Sequence, residues 1–305
     1  MSKVNLAVNI GGLQVQNPVT TASGTFGSGL EMTEYVDLTR LGAITVKGTT
    51  LEPRPGNAQP RCAETPAGIL NSIGLENPGV EVFVKDILPK VAAYETPIIV
   101  NIAGKEIEDY GTVAAILEKE SAVSAIEVNV SCPNVKNGGM ALGTDPKLVY
   151  ETTRVVKDHT TKPVILKLSP NVTDIVAVAK AAADGGADGL TLINCLLGMA
   201  IDIKSQKPLL GNVVGGLSGP AIKPVALRMV YQVAQKVDLP IIGLGGITSW
   251  QDAVEFLLAG ATMVSIGTGN FVDPTLTMKV IDGIEGYLSE NGDSDVHEII
   301  GLAWK

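Results

Sequence analysis

Cys132 is the residue of this sequence best suited to accept a proton. It lies in the segment Asn129-Val-Ser-Cys-Pro-Asn134, three residues beyond an apolar run that predicts a buried strand. The two histidines, His159 and His297, lie in a polar turn and near the C-terminus, away from the other polar motifs. An ordinary thiol has a pKa of about 8.5, so a thiol/thiolate is a competent base near neutral pH. We therefore expect Cys132 to be a catalytic base.

Polar side chains close six of the apolar runs that predict strands: Ser23, Lys47, Asn101, Asn129, Lys167 and Asn194. At the carboxyl ends of the strands of a parallel barrel, such side chains would face an active site. A single asparagine there is more often a turn former, but six aligned residues favour a pocket. Lys167 is either an ion-paired core lysine or a positive charge near the N1–O2 edge of a flavin. Lys47 could pair with a carboxylate.

Two glycine-rich turns follow the last two predicted strands. They read Gly243-Leu-Gly245-Gly246-Ile-Thr248 and Ser265-Ile-Gly267-Thr268-Gly269. Glycines let backbone N–H groups approach an anion, and this pair of loops forms the recurrent phosphate site of α/β barrels. The turns predict a phosphorylated ligand or cofactor. No Gly-x-Gly-x-x-Gly opens a helix after the first strand, so a dinucleotide fold is not expected.

Neutral amides and a glycine-rich segment complete the candidate pocket. Asn71, with Asn129, Asn134 and Asn194, could bracket a planar imide. Residues 135–144 contain three glycines and are interpreted as a mobile lid. Cys62 is interpreted as a small buried apolar side chain, and the same interpretation is open for Cys195.

Eight short apolar runs, separated by helix-length segments, would position these residues. The predicted strands are Val19–Ala22, Ala43–Lys47, Ile98–Asn101, Ile126–Asn129, Val164–Lys167, Gly189–Ile193, Ile241–Leu244 and Met263–Ile266. The predicted helices are Gly111–Glu120, Asp145–Asp158, Asp174–Asp184, Pro220–Lys236 and Ser249–Ala259. This alternation predicts an α/β protein of one domain, residues 1–305, folded as a (β/α)₈ TIM barrel.

Three further segments complete the expected fold. Val4–Val8 and Leu13–Val15, split by Gly11-Gly12, predict a β-hairpin that plugs the bottom of the barrel. The long connections Gly48–Val80 and Asn194–Gly219 follow the second and sixth strands. Connections of this length in a compact barrel are usually functional, so we expect both at the mouth.

Composition excludes several classes of protein. The 305 residues carry a net charge of −9 without a basic cluster, which argues against nucleic-acid and anionic-membrane partners. No apolar run approaches the ~20 residues of a membrane span, and no secretion signal is evident, so a cytoplasmic location is expected. Three widely spaced cysteines favour neither a disulfide framework nor a metal site, and cannot supply the four thiolates of an iron–sulfur cluster.

Six segments carry a family resemblance over nearly the whole chain. They are Phe26-Gly-Ser-Gly-Leu30, Val46-Lys-Gly-Thr-Thr-Leu-Glu-Pro-Arg54, Asn71-Ser-Ile-Gly-Leu75, Asn129-Val-Ser-Cys-Pro-Asn134, Leu192-Ile-Asn194 and Gly245-Gly-Ile247. With them the sequence resembles the catalytic subunits of class 1B dihydroorotate dehydrogenases. The segment 136–145 is similar to the 1B branch rather than to the fumarate-using 1A branch.

The resemblance implies a reaction and a set of site residues. Cys132 would remove a proton from C5 of dihydroorotate while C6 delivers hydride to N5 of FMN, giving orotate for pyrimidine (UMP) biosynthesis. The implied FMN contacts are Ser23, Lys47, Gly48, Asn101, Asn129, Lys167, Ile193, Gly219, Gly245, Gly246, Gly267 and Thr268. The implied substrate contacts are Lys47, Asn71, Ser72, Ile73, Gly74, Leu75, Asn129, Asn194 and Cys195. Cys195 replaces the threonine usual in the family, which removes a good hydroxyl donor.

The resemblance also implies partners. A homodimer of this chain would bind a second subunit that carries FAD and a 2Fe–2S cluster and passes electrons to NAD⁺, giving a heterotetramer. Two other classes stay open: a non-redox barrel lyase or isomerase that uses the glycine turns for a substrate phosphate, and a barrel without catalysis that serves as a scaffold or ligand sensor.

Overall fold

The computed structural model of the protein describes residues 4–131 and 142–305, and within these ranges sixteen strands form four sheets. In chain order the strands are β1 (Val8–Ile10), β2 (Leu13–Val15), β3 (Val19–Thr21), β4 (Ile44–Thr49), β5 (Cys62–Thr65), β6 (Gly68–Asn71), β7 (Ile98–Ile102), β8 (Val123–Asn129), β9 (Val164–Lys167), β10 (Gly189–Leu192), β11 (Leu196–Gly198), β12 (Ile201–Asp202), β13 (Lys207–Pro208), β14 (Gly215–Ser218), β15 (Ile241–Leu244) and β16 (Met263–Ile266).

Eight parallel strands form the barrel, in the order β3-β16-β15-β10-β9-β8-β7-β4. All eight predicted strands are present, so the predicted TIM barrel is confirmed. Every residue of β7, β9, β10, β15 and β16 is buried, as expected of strands covered on both faces. The predicted bounds differ most at β8, which begins at Val123 rather than Ile126.

Threonine side chains join the first barrel strand to the second. The Thr45 N–H donates to Thr21 Oγ1 at 3.1 Å, and Thr20 Oγ1 donates to Ala43 O at 2.9 Å. One backbone hydrogen bond, from Gly42 N–H to Val19 O at 3.0 Å, lies beside them. The seam between β3 and β4 therefore depends on side-chain hydrogen bonds, whereas the neighbouring strands are joined by a regular ladder of backbone hydrogen bonds.

Ten α-helices lie among the described residues: α1 (Ser23–Phe26), α2 (Val80–Val82), α3 (Leu88–Ala92), α4 (Ile107–Glu118), α5 (Pro146–Lys157), α6 (Ile175–Asp184), α7 (Lys223–Ala234), α8 (Trp250–Leu258), α9 (Gly269–Val272) and α10 (Leu276–Asn291). The five predicted helices correspond to α4–α8. Helix α4 begins four residues before Gly111, because Glu106 and Asp109 form a capping box there.

Helices α1, α2, α3, α9 and α10 were not predicted. A π-helical turn, Phe83–Ile87, joins α2 to α3, and Pro89 lies at the start of α3. Helix α10 contains Gly283 and Gly286, whose low helix propensity conceals its apolar periodicity. Tertiary packing outweighs the low helix propensity of the proline and the glycines, since Phe83, Leu88 and Ile284 are buried.

The N-terminal hairpin lies at the end of the barrel where the strands begin. Strands β1 and β2 pair antiparallel through the turn Gly11-Gly12, and both glycines have positive φ. A Cβ built on Gly11 would lie 2.6 Å from Asp188 O, just before β10. The first strand is Val8–Ile10, so the predicted strand Val4–Val8 is wrong in its bounds. The expected position of the hairpin agrees with these contacts.

The two long connections meet each other at the mouth. Strands β5 and β6 from the first connection, and β11 and β14 from the second, form one antiparallel sheet in the order β11-β14-β6-β5. The chain 199–214 extends beyond this sheet and contains the small hairpin β12–β13. The sequence analysis predicted these segments only as functional loops, because their short strands gain order by pairing with one another. The interpretation of Cys62 as a small buried apolar side chain is wrong, because Cys62 lies on the exposed face of β5, at the edge of this sheet.

No helix within residues 4–131 and 142–305 combines the length and apolarity needed to cross a bilayer.

Candidate active site

The predicted polar residues lie at or beside the carboxyl ends of the barrel strands. Asn129 and Lys167 end β8 and β9, and Asn194 lies two residues after β10. Lys47 and Asn101 were expected to end their strands, but they do not, because β4 continues to Thr49 and β7 to Ile102. Asn129 and Lys167 are direct neighbours in the parallel ladder, so their side chains belong to one pocket.

A buried carboxylate that the sequence did not single out organises the floor of this pocket. Glu127 Oε2 accepts a hydrogen bond from Asn101 Nδ2 at 2.6 Å, and Oε1 accepts one from Thr191 Oγ1 at 2.8 Å. Lys167 Nζ lies 3.6 Å from Oε2. All four residues are at most 5% exposed. Glu127 was missed because it lies inside a strand rather than at its end, although an acidic residue within an apolar run is a recognisable signal.

A second pair of predicted amides meets above β8 and β10. Asn194 Nδ2 donates to Asn129 Oδ1 at 3.1 Å, and the same oxygen accepts from Ser131 N–H at 3.1 Å. Tyr110 of α4 donates its hydroxyl hydrogen to the Asn129 carbonyl at 2.9 Å. These contacts fix the Asn129 amide at the mouth. The Leu192–Ile193 peptide before Asn194 is cis.

The antiparallel sheet brings Asn71 to Cys195. Asn71 Nδ2 lies 3.9 Å from Cys195 Sγ and donates to Gly216 O at 3.3 Å. Asn171, which the sequence analysis did not single out, donates to Cys195 O at 3.1 Å. Burial raises the pKa of the Cys195 thiol, opposed in part by the positive charge of Lys167. The thiol therefore stays protonated near neutral pH.

The predicted phosphate turns form a cradle of glycines. Gly219, Gly245 and Gly246 all have positive φ, and a Cβ on Gly246 would lie 2.9 Å from Gly219 O. Thr268 Oγ1 donates to Ser218 Oγ at 2.7 Å, which ties the last barrel loop to β14. A side chain at any of the three glycines would be strained and would clash with neighbouring protein atoms.

Lys47 lies in a partly buried position near several charged side chains. Burial lowers the pKa of its ammonium, Glu76 and Glu31 raise it, and Arg61 lowers it. Among the described residues, no carboxylate lies within 4.0 Å of the Lys47 ammonium. This cation therefore has capacity to pair with an anionic ligand in the mouth.

The remaining predicted residues are distributed around the same mouth or lie beyond the described ranges. Ser23 opens α1, beside Gly267, whose built Cβ would contact Ala22 at 3.5 Å. Ser72 Oγ accepts from Asn57 Nδ2 at 3.0 Å and is occupied within its own loop. Leu75 has a φ of 57° and lies near Gly48. Cys132, Asn134 and residues 135–141 of the predicted lid lie outside the described residues.

Comparison with known proteins decides the family. A family model described as dihydroorotate dehydrogenase matches residues 5–288. This chain belongs to the dihydroorotate dehydrogenase family. It is 59% identical over 301 residues to "Dihydroorotate dehydrogenase B (NAD(+)), catalytic subunit" of Desulforamulus reducens, covering 99% of each chain. Proteins of the same name from Alkaliphilus metalliredigens and Bacteroides fragilis are 59% and 56% identical, over 99% and 97% of this chain and 99% and 98% of theirs.

The family predicted from the motifs is thus confirmed, and with it the expectation of an oxidoreductase. Dihydroorotate dehydrogenases are expected to hold a flavin, and one feature of this mouth tests that fit. Asn101 Oδ1 is buried and has no hydrogen-bond partner among the described residues. A Cβ on Gly48 would lie 2.8 Å from the same oxygen, so glycine keeps space beside it. An unpaired buried acceptor costs about 1–3 kcal/mol, and an N–H donor of a bound ring would remove that cost.

Proposed function

We propose that this chain is the catalytic subunit of an NAD⁺-linked dihydroorotate dehydrogenase that oxidises (S)-dihydroorotate to orotate in UMP biosynthesis. The main support is a glycine cradle, an ion-paired lysine and four amides at one barrel mouth, in a chain 59% identical to proteins of that name. We propose further that residues 1–305 act as a single domain. A cytoplasmic location stays a prediction from the sequence.

The mouth residues suit FMN. The three positive-φ glycines and Thr268 would hold the phosphate, because their backbone N–H groups can approach an anion. Lys47, Gly48, Asn101, Asn129 and Lys167 would surround the ring, with Ser23, Ile193 and Gly267 at its margins. Bound FMN would supply an acceptor for the hydride removed from C6 of the substrate.

Neutral amides and one ammonium would orient the substrate. Asn71, Asn129 and Asn194 offer both donors and acceptors, which match the carbonyl and N–H groups of a cyclic imide. The Lys47 ammonium would pair with the carboxylate. Residues 72–75 and Cys195 would close the pocket beside Asn71.

Cys132 is proposed as the base that takes the C5 proton. The support is the sequence position of Cys132, three residues after Asn129, which ends β8 beside Lys167. A thiolate formed at Cys132 would accept the proton.

Replacing Cys132 by alanine tests the base assignment. We expect Cys132→Ala to bind FMN and to bleach with dihydroorotate at least about 100-fold more slowly, because general-base catalysis contributes about 10²–10⁴-fold. Cys132→Ser should retain a trace of bleaching that rises with pH. Cys62→Ala, at an exposed position, serves as the control. Unchanged bleaching by Cys132→Ala would refute the base. A colourless wild-type protein that turns over a sugar phosphate would instead support the non-redox alternative.

The partner is proposed from the same similarity. A homodimer of this chain would bind subunits that carry FAD and a 2Fe–2S cluster and that link it to NAD⁺. The three cysteines of this chain cannot ligate such a cluster alone. Co-purification with a flavin and iron–sulfur subunit would support this assembly. A lone homodimer that reduces fumarate rapidly would place the chain in the 1A branch.

A further inference from the structure

The Glu127 carboxylate is the most completely enclosed charged group at the mouth among the described residues. Its residue is 2% exposed, and the three polar groups that face it are all donors: the Asn101 amide, the Thr191 hydroxyl and the Lys167 ammonium. An ionised carboxylate only accepts hydrogen bonds, whereas a protonated one must also donate. The surroundings therefore match the ionised form.

Two of the three partners of Glu127, Asn101 and Lys167, are residues that the proposed function assigns to the flavin. Asn101 and Lys167 flank Glu127 on the neighbouring strands, and the ladder registers Asn101 with Glu127 and Thr191 with Lys167. The hydrogen bond to Glu127 uses Asn101 Nδ2 and turns the unpaired Oδ1 toward the space beside Gly48. The orientation of the Asn101 amide thus depends on the carboxylate.

The charge of the floor also depends on Glu127. The Lys167 ammonium is 3.6 Å from Oε2, beyond the length of a normal N–H···O hydrogen bond but within ion-pair range. The carboxylate therefore partly neutralises the charge of the Lys167 ammonium. The N–H groups of the ammonium can still face the mouth. With the carboxylate in place, the pair carries no net charge; without it, a buried positive charge would face the ligand.

From these contacts we propose that Glu127 is a positioning residue that orients Asn101 and balances the charge of Lys167, and so limits how strongly the pocket favours reduced over oxidised flavin. This inference rests on the proposed function, since it requires FMN in this mouth. Glu127 would touch neither the substrate nor the flavin. Its effect reaches the ring through Asn101 and Lys167.

The decisive measurement is the FMN reduction potential of the full-length protein, determined by equilibration with a reference dye without dihydroorotate. Glu127→Gln retains the length of the side chain and one acceptor oxygen but removes the negative charge. The unbalanced Lys167 ammonium should then stabilise the anionic reduced ring. We expect the preference for reduced over oxidised FMN to rise at least tenfold, or about 30 mV for a two-electron couple.

Two further variants separate this effect from loss of stability. Glu127→Asp keeps the charge but draws it back from Lys167, so its potential should lie between those of wild type and Glu127→Gln. Asp188→Asn removes another ion pair, with Lys157 at 2.8 Å, at the opposite end of the barrel. It should lower the unfolding midpoint and leave the potential unchanged.

The outcomes distinguish the two levels of proposal. If dihydroorotate bleaches the flavin of the wild type but Glu127→Gln has the wild-type potential, this inference is wrong and the proposed function stands. If Glu127→Gln does not fold, a wild-type potential in Glu127→Asp overturns the inference. A wild-type protein that binds no FMN overturns both.

Discussion

At the residue scale, the pocket consists of polar side chains whose partners are specified one by one. Glu127 accepts two hydrogen bonds and forms an ion pair with Lys167, and Asn129 Oδ1 accepts two hydrogen bonds. Cys195 is the exception, because its Sγ is 3.9 Å from Asn71 Nδ2, and a neutral thiol is a weak partner for an amide. The residue usual in the family at this position is threonine, whose hydroxyl both donates and accepts.

Restoring that hydroxyl should strengthen substrate binding. We expect Cys195→Thr to lower the KM for dihydroorotate about fivefold, because one hydrogen bond contributes about 1 kcal/mol, while kcat changes less than about twofold. Burial raises the pKa of the Cys195 thiol, so the variant should have the wild-type pH profile between about pH 6 and 8. Steady-state kinetics across that range measure both effects.

Cys62→Thr makes the same chemical change at an exposed position on β5 and should leave the KM unaltered. An unchanged or increased KM in Cys195→Thr would show that the hydroxyl makes no useful contact with the substrate.

At the element scale, the antiparallel sheet over the mouth is the feature that joins the substrate loop to the glycine cradle. Strand β6 carries Asn71 and pairs with β14, which leads directly into Gly219. A Cβ on Gly68 would lie 2.0 Å from Ser218 O, a backbone atom that can move only with the strand. Glycine at this position therefore sets the distance between the two long connections.

Gly68→Ala should separate β6 from β14. We expect a loss of about 1–3 kcal/mol in the free energy of unfolding from overpacking, together with weaker FMN binding, since Gly219 must shift with Ser218. Denaturant titration and flavin fluorescence measure the two effects.

Gly286→Ala is the matched control for this variant. A Cβ on Gly286 has no atom within 4 Å and lies inside α10, so the variant should gain about 0.5–1 kcal/mol and bind FMN normally. If Gly68→Ala matched the wild type in both stability and flavin affinity, the sheet would not position the cradle.

At the scale of the whole molecule, closure of the barrel depends on the threonine seam between β3 and β4. The buried Thr21 hydroxyl accepts from Thr45 N–H at 3.1 Å and donates to Thr45 O at 3.3 Å. Valine has the same shape but neither function. Pairing between β3 and β4 therefore depends on hydroxyl groups that a single substitution can remove, whereas the other strand pairs are held by backbone hydrogen bonds.

Thr21→Val should lower the free energy of unfolding by about 1–3 kcal/mol, because it leaves a buried backbone N–H without its partner. The midpoint of urea unfolding measures the loss. Thr112→Val, on the exposed face of α4, removes only a bond to Glu108 O and should change stability by less than about 0.5 kcal/mol. Equal midpoints for the two variants would show that the seam does not limit stability.

The sequence by itself determined the eight barrel strands, five outer helices and the mouth residues. Buried parallel strands are continuous apolar runs, and the polar residue that ends each run is visible without knowledge of its neighbours. The motifs around Asn71, Asn129 and Gly245 identified the family, which the comparisons confirm. The assignment of Cys132 as the base stays a prediction, as do the FMN and substrate contacts.

Only the tertiary structure decided which of these residues meet. The pairing of β6 with β14 joins residues 145 positions apart, as in the contact between Asn71 and Gly216, and nothing local encodes it. The role of Glu127 likewise depends on Asn101, Lys167 and Thr191, which come from three other strands. Local patterns record whether a residue is buried and in which element. The partner of a buried polar group is set by the register of the closed barrel.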